Sequence, residues 1–382
     1  MPDDGALNGA DLLARVRRFA LERIAPAAED WSLGASPTSE DFAAAGALGL
    51  TRLQVAAADG GLGLPFSAKT RAAEVLATAD FGFAMALINT QNAAIKIAER
   101  GAETLKARRL PRLLSGEASA CTALTEPGAG SDFGSVATQA RPEGDGWVLT
   151  GEKTWIINAR HAETCIVYAQ TAALGDRDGV AAFVVDLTAP GVTRTPLDSA
   201  FAQTSIGCAA LTFEAVRLPA DAQLLSPGEA FRAILAEING ARAYVAAMGC
   251  GMLEAALEEA TAYGASRESF GKPLAAHQAW RLGLAQAGVD LAAARALTAQ
   301  AVAAVEADEG SEAAQRLCAQ AKVFATNACL RRLPELMHAM GAEGLSPRRP
   351  FARHLAGAQS ATLTDGSTEM LLERLTRLGP GA

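Results

Sequence analysis

Clustered basic residues are scarce in this 382-residue chain: its arginine pairs are isolated doublets and its formal net charge is −8. A protein that holds a phosphate backbone presents a basic face, so nucleic acid is excluded as a partner. None of the six cysteines forms a CxxC pair, and the disulfide framework of short secreted chains is not suggested. Buried free thiols in a reducing compartment fit better, and no metal site is expected. The opening "MPDDGALNGADLLARV" has no basic stretch followed by an apolar one, so it does not read as a signal peptide. No apolar run approaches the roughly 18 residues of a membrane span, and the expectation is a cytoplasmic protein without a membrane partner. There is no GxGxxG, no βαβ alternation and no internal repeat, which argues against a Rossmann domain.

What is present falls into three textures, as expected for a chain of two or three domains. Residues 1–118 read as helices: Leu12, Val16, Phe19 and Ile24 recur near helical spacing in a segment that stops at a proline, and alanine-rich segments follow. Residues 119–222 hold short runs rich in β-branched and aromatic residues between Gly, Pro and Asp turns, with "GDG" at 144–146 a probable hairpin turn. Residues 223–382 return to long alanine-rich helices that suggest a bundle. The fold class is α+β.

Four stretches stand out. "LTEPGAGSD" (124–132) follows a strand; it reads either as a turn cluster or as an anion cradle, since successive glycines let backbone N–H groups approach closely and Ser131 adds a donor. Thr125, one strand position earlier, could donate to a ring. "GEKTWIINA" (151–159) carries Trp155, which by itself reads as a β-core tryptophan. "RESFGKPLAAHQ" (267–278) by itself reads as a polar loop between helices. In "DGSTEMLLERL" (365–375), Asp365 is either an N-cap or a base placed within reach of a substrate.

In order and spacing these stretches resemble the acyl-CoA dehydrogenase family over nearly the whole chain, and "ADGGLGLP" (58–65) resembles the family's loop between early helices. The resemblance implies an N-terminal helical domain, a central β-barrel-like domain and a C-terminal four-helix bundle, with FAD at their junction. It also implies a homotetramer, a dimer of dimers in which each FAD touches a neighbouring subunit. Residue by residue, it implies that Thr122, Leu124, Thr125, Gly130 and Ser131 line the flavin and its phosphates, with Trp155 over a flavin face and Ile157 beside it. Arg267, Ser269, Phe270, His277 and Gln278, with His338 and Ala342, would reach the partner's FAD. Ser367 and Glu369 would complete the site. Ser131, Asn239, Arg242 and Gly366 would meet the acyl-CoA, and Asp365 would stand where the family has its glutamate base.

Several positions depart from the family pattern. Aspartate is one methylene shorter than glutamate, about 1.5 Å of reach. Ala241 stands where some members carry the base on a bundle helix, so no substitute exists there. Ile157 stands where a threonine usually donates to the flavin, His338 replaces a common glutamine, and Ala356–Gly357 replace a common Arg–Asp pair. The implied activity is FAD-dependent α,β-dehydrogenation of an acyl thioester, on coenzyme A or a carrier protein, with electrons passed to an electron-transfer flavoprotein or another acceptor. The alternative is altered chemistry on the same fold, either oxygen-dependent hydroxylation or an elimination without net redox.

Overall fold

The structure, a computed structural model, describes residues 9–198 and 204–379. The first layer is helical: α1 (Gly9–Phe19), α2 (Ala25–Ser32), α3 (Ser39–Ala47), α4 (Phe66–Ala77), α5 (Phe81–Arg100) and α6 (Glu103–Ser115). Leu12, Val16 and Phe19 line one face of α1 and are buried. The helix does not stop at Pro26, as the sequence suggests. A π turn over Ala20–Ile24 joins α1 to α2, and Pro26 falls in the first turn of α2, where its missing N–H is tolerated. Asp80 caps α5 by accepting from the Phe83 N–H at 2.7 Å. That helix is buried on nearly every side because it packs on α4, on α6 and on the sheet.

The β domain comprises β1 (Ala120–Ala123), β2 (Gln139–Glu143), β3 (Gly146–Ile156), β4 (Thr164–Gln170), β5 (Val180–Asp186), β6 (Val192–Pro196), β7 (Ala209–Leu218) and β8 (Gln223–Leu225). The strands run β6-β7-β3-β2-β4-β5-β8, with β1 parallel to β4. β2 and β3 form a hairpin through a two-residue turn that starts with Gly144 at φ +62°, a backbone state that favours glycine. The sheet runs past the 222 boundary read from the sequence: β8 pairs with β5 although it is only three residues long. The Thr90 hydroxyl of α5 accepts from the Ala120 N–H at 3.1 Å, which fixes the start of β1 against the helical layer.

The third layer holds α7 (Ala230–Ser266), a small hairpin of β9 (Glu268–Ser269) and β10 (Lys272–Pro273), α8 (Gln278–Asp308), α9 (Glu312–Ala339), α10 (Phe351–Leu363) and α11 (Thr368–Arg377). Helices α7, α8 and α9 pack on one another and α10 packs on α7 and α9, a four-helix bundle against which α11 is laid. One apolar cluster runs from α1 through α4 and α5 into α7, α8 and α9, so the first and third layers share a core. The sequence suggested no membrane-length apolar run, yet α8 is long and apolar enough to cross a membrane, because alanine supplies most of its apolar character. Only a third of its apolar window is buried in the chain, and Leu282 and Val289 are exposed.

Candidate active site

The turn between α10 and α11 holds two consecutive residues in left-handed backbone, Asp365 at φ +55° and Gly366 at φ +102°. Among side-chain-bearing residues aspartate adopts this state comparatively easily. The N-cap of α11 is Ser367, whose Oγ accepts from the Met370 N–H at 3.3 Å, so Asp365 is free of the capping role. Two buried cations clamp the turn by its carbonyls. Arg242 Nε donates to the Asp365 carbonyl at 3.1 Å, and Lys322 Nζ donates to the Gly366 carbonyl. Arg242 also donates to Asn239 Oδ1 at 2.6 Å, one turn earlier on α7.

The Asp365 carboxyl itself is left unused. Its Oδ2 is enclosed and no protein donor reaches it. Burial raises its pKa to about 6 against the pull of Lys322 and Arg242, with Glu237 adding to the rise. The same burial lowers Lys322 to about 8 and Arg242 to about 10. A carboxyl with a free oxygen, titrating near neutrality and held by a rigid turn, has the properties of a general base.

A second group of residues is built on the loop after β1. Glu126 and Ala129 exchange backbone hydrogen bonds at 2.9 and 3.2 Å, which closes a tight turn. The Glu126 carboxylate then accepts from the Ala137 N–H (2.6 Å), the Thr138 N–H (3.0 Å) and Lys153 Nζ (2.7 Å). Lys153 also donates to the Leu124 carbonyl at 3.0 Å. Burial opposes the charge on Glu126, but Lys153 and the backbone donors hold its pKa below the usual carboxylate value. Burial lowers the wholly enclosed Lys153 to about 8. This ion pair pins both ends of the loop to β3.

On that loop the structure leaves several groups available. The Thr122 hydroxyl is buried without a partner, Thr125 is half-buried, and Gly130 and Ser131 are exposed. A Cβ added at Gly128 or Gly130 would meet nothing within 4 Å, so protein packing does not require glycine at either position. Trp155 is not a core residue: it lies on β3 at φ +55° with 56% of its surface exposed. Ile157, two residues on, is half-buried against the large apolar cluster. An open backbone, free hydroxyls and a bare indole suit a large ligand with both phosphate and aromatic parts.

The 267–278 stretch is an ordered hairpin and not a plain loop. β9 and β10 pair through Phe270 (φ +53°) and Gly271 (φ +75°), the two left-handed residues of a type I′ turn. His277 Nε2 lies 3.1 Å from the Ser269 carbonyl and braces the hairpin. Phe270 at the tip is 95% exposed, and Arg267 and Gln278 are exposed as well. The axis of α7 carries Arg267 about 37 Å from Arg242. The structure therefore brings Asp365, Gly366, Asn239 and Arg242 together and leaves the hairpin far away. His338, Ala342 and Glu369 are exposed.

Sequence reasoning missed Glu126, Lys153 and Lys322. The first two lay inside quoted motifs but looked like ordinary surface charges. Lys322 is a lone cation in the alanine-rich "CAQAKVFATNAC", and that isolation was the available signal.

Helix, sheet and helix in three layers, with a free carboxyl on one side and an open glycine loop and bare indole on another, define the scaffold of a flavin-type dehydrogenase. The sequence matches, in order, the acyl-CoA dehydrogenase N-terminal domain over residues 10–117, the middle domain over 121–216 and the C-terminal domain over 228–378. The chain belongs to the acyl-CoA dehydrogenase family, FAD-dependent oxidoreductases acting on CH–CH groups. It is 32% identical over 336 residues to the mitochondrial short-chain specific acyl-CoA dehydrogenase of Bos taurus, covering 87% of this chain and 80% of that one. It is 31% identical to a glutaryl-CoA dehydrogenase of Desulfococcus multivorans, with 96% of each chain covered. The structure of a glutaryl-CoA dehydrogenase from Mycobacterium smegmatis in complex with FADH2 superposes with a TM-score of 0.90 at 29% identity, covering 100% of this chain and 97% of that one. FAD fits the residues present: the orphaned Thr122 hydroxyl, the open Gly128 and Gly130 backbone and the bare Trp155 each offer it a surface.

Proposed function

We propose that this enzyme α,β-dehydrogenates an acyl thioester, of coenzyme A or of an acyl-carrier protein, with Asp365 as the base for the α-proton. The observation that carries this reading is the enclosed, unpartnered Oδ2 of Asp365 on a turn clamped by two cations. Bound FAD supplies the hydride acceptor. Thr122, Leu124, Thr125, Gly130 and Ser131, with Trp155 and Ile157, would hold it, and Ser367 and Glu369 would complete the site beside Asp365. Among the described residues nothing accepts from the Asp365 backbone N–H, which leaves that donor for the thioester oxygen as negative charge develops there. Arg242 and Lys322 keep the shorter aspartate in place by its main chain and do not occupy its carboxylate. Asn239, Arg242, Gly366 and Ser131 would contact the thioester. An electron-transfer flavoprotein is the proposed oxidant of the reduced enzyme, and the cytoplasm its proposed location. Turnover with a panel of acyl-CoA thioesters and an electron-accepting dye tests the reading. Products two hydrogens lighter than their substrates are expected; dye that stays oxidised with every thioester would reject it.

The pH dependence follows from Asp365. The base acts as the carboxylate, so the rate of flavin reduction should rise with pH through about 6 and level off above it. Rapid-mixing rates between pH 5 and 8 check this, and a flat profile would exclude a titrating base.

The chain is also proposed to form a homotetramer. The exposed Phe270 hairpin, held about 37 Å along α7 from Arg242, and the half-covered α8 support this arrangement. In it Arg267, Ser269 and Phe270, with His277, Gln278, His338 and Ala342, meet the FAD of a neighbour. Light scattering should give an even-numbered oligomer, and Phe270→Asp should release FAD more readily on dilution. A monomer that retains FAD would contradict both expectations.

A further inference from the structure

Beside the Asp365 turn, α4, α5 and α7 bring together three buried polar side chains that the mechanism does not use: Lys69, Asn92 and Tyr244. Their hydrogen bonds run in one direction. Asn92 Oδ1 accepts from Lys69 Nζ at 2.5 Å, which fixes the amide orientation, because the reverse would set two donors against each other. Asn92 Nδ2 then donates to the Tyr244 hydroxyl oxygen at 3.3 Å. The Tyr244 proton is left over, and no described residue accepts it. Lys69 lies 5.3 Å from the centroid of the Tyr244 ring and has no carboxylate in ion-pair contact among the described residues. The nearby Glu237 is held by Lys96. Burial lowers Lys69 to about 8.

Two buried donors therefore face the same region without an acceptor. Tyr244 follows Arg242 by two positions on α7, and the Asp365 carboxyl is, after burial, the strongest influence raising its pKa, so the cluster lies close to the base. A saturated alkyl tail entering this region would leave an ammonium and a hydroxyl buried and unpaired, which is unfavourable. An anionic oxygen group satisfies both.

Resting on the acyl-thioester reading above, we propose that the substrate's acyl group ends in a carboxylate, recognised by Lys69 and the Tyr244 hydroxyl, with Asn92 aligning the two. Lys69 and Tyr244 are then specificity determinants and take no part in proton or hydride transfer.

The test compares the coenzyme A monothioester of pentanedioic acid with pentanoyl-CoA on the FAD-loaded enzyme. Rapid anaerobic mixing over a range of concentrations separates the apparent Kd from the limiting rate of flavin reduction. The wild type should bind the carboxylate-ended thioester at least tenfold more tightly. Lys69→Met should erase that preference and leave pentanoyl-CoA binding unchanged or improved. Tyr244→Phe keeps the ring and its packing, so it serves even if Lys69→Met fails to fold. It should weaken binding of the carboxylate-ended thioester alone, by several-fold. A wild type that prefers pentanoyl-CoA, or variants that weaken both thioesters equally, would overturn the proposal. Reduction of the flavin by other thioesters but by neither of these would also overturn it while leaving the dehydrogenase reading intact. Failure with every thioester would overturn both.

Discussion

Asp365→Asn should reduce its bound flavin at least ~10²-fold more slowly than the wild type, the lower end of what a positioned general base contributes. Asparagine is the informative replacement, because it tolerates the φ of +55° at this position, whereas alanine there adds backbone strain. The same variant discriminates by stability. The folded pKa of Asp365, about 6, lies above its unfolded value, so the protonated form favours the fold. That contribution is complete below the unfolded pKa and is lost as the pH rises through about 6. Above pH 6 the wild type holds a buried carboxylate against its preference, and Asp365→Asn should be at least as stable. Loss of an N-cap would instead cost about 1 kcal/mol, the outcome expected of Ser367→Ala. Asp365→Glu should retain part of the activity. A slow, stable Asn variant with normal FAD content identifies a base; a fast one removes Asp365 from the chemistry.

Breaking the buried Glu126–Lys153 pair should have the largest effect on the fold. Glu126→Ala leaves Lys153 fully enclosed with only the Leu124 carbonyl as partner, and loss of one member of a buried pair typically costs about 3–5 kcal/mol. The flavin loop loses its anchor at the same time, because the Ala137 and Thr138 N–H groups lose their acceptor. FAD affinity should fall together with the denaturation midpoint. Replacing both residues, Glu126→Gln with Lys153→Met, removes the stranded charge and should recover much of the stability. Urea midpoints and FAD retention on gel filtration measure the two effects. A single variant as stable as the wild type would show that the pair does not hold the loop.

The layer order was legible because helical and strand periodicities differ and change sharply near 119 and 226. The run past Pro26 was not, since a π turn leaves no periodic trace. The membrane-length apolar character of α8 escaped because it rests on alanine and not on a run of large apolar residues. At the site, motif spacing pointed to Asp365, Trp155 and the 267–278 stretch. Which of Asp365 and Ser367 caps α11 depends on backbone angles that "DGST" does not determine. The Lys69–Asn92–Tyr244 chain was invisible because its members lie on three helices far apart in sequence, and only packing brings their polar atoms together.

The most direct test of the account is anaerobic mixing of the FAD-loaded enzyme with an acyl-CoA deuterated at the α-carbon. The account predicts bleaching of the flavin, slowed relative to the protiated substrate in the wild type, with Asp365→Asn slower by the factor given above. A flavin that stays oxidised in the wild type with every thioester, or that bleaches equally fast in Asp365→Asn, would contradict it.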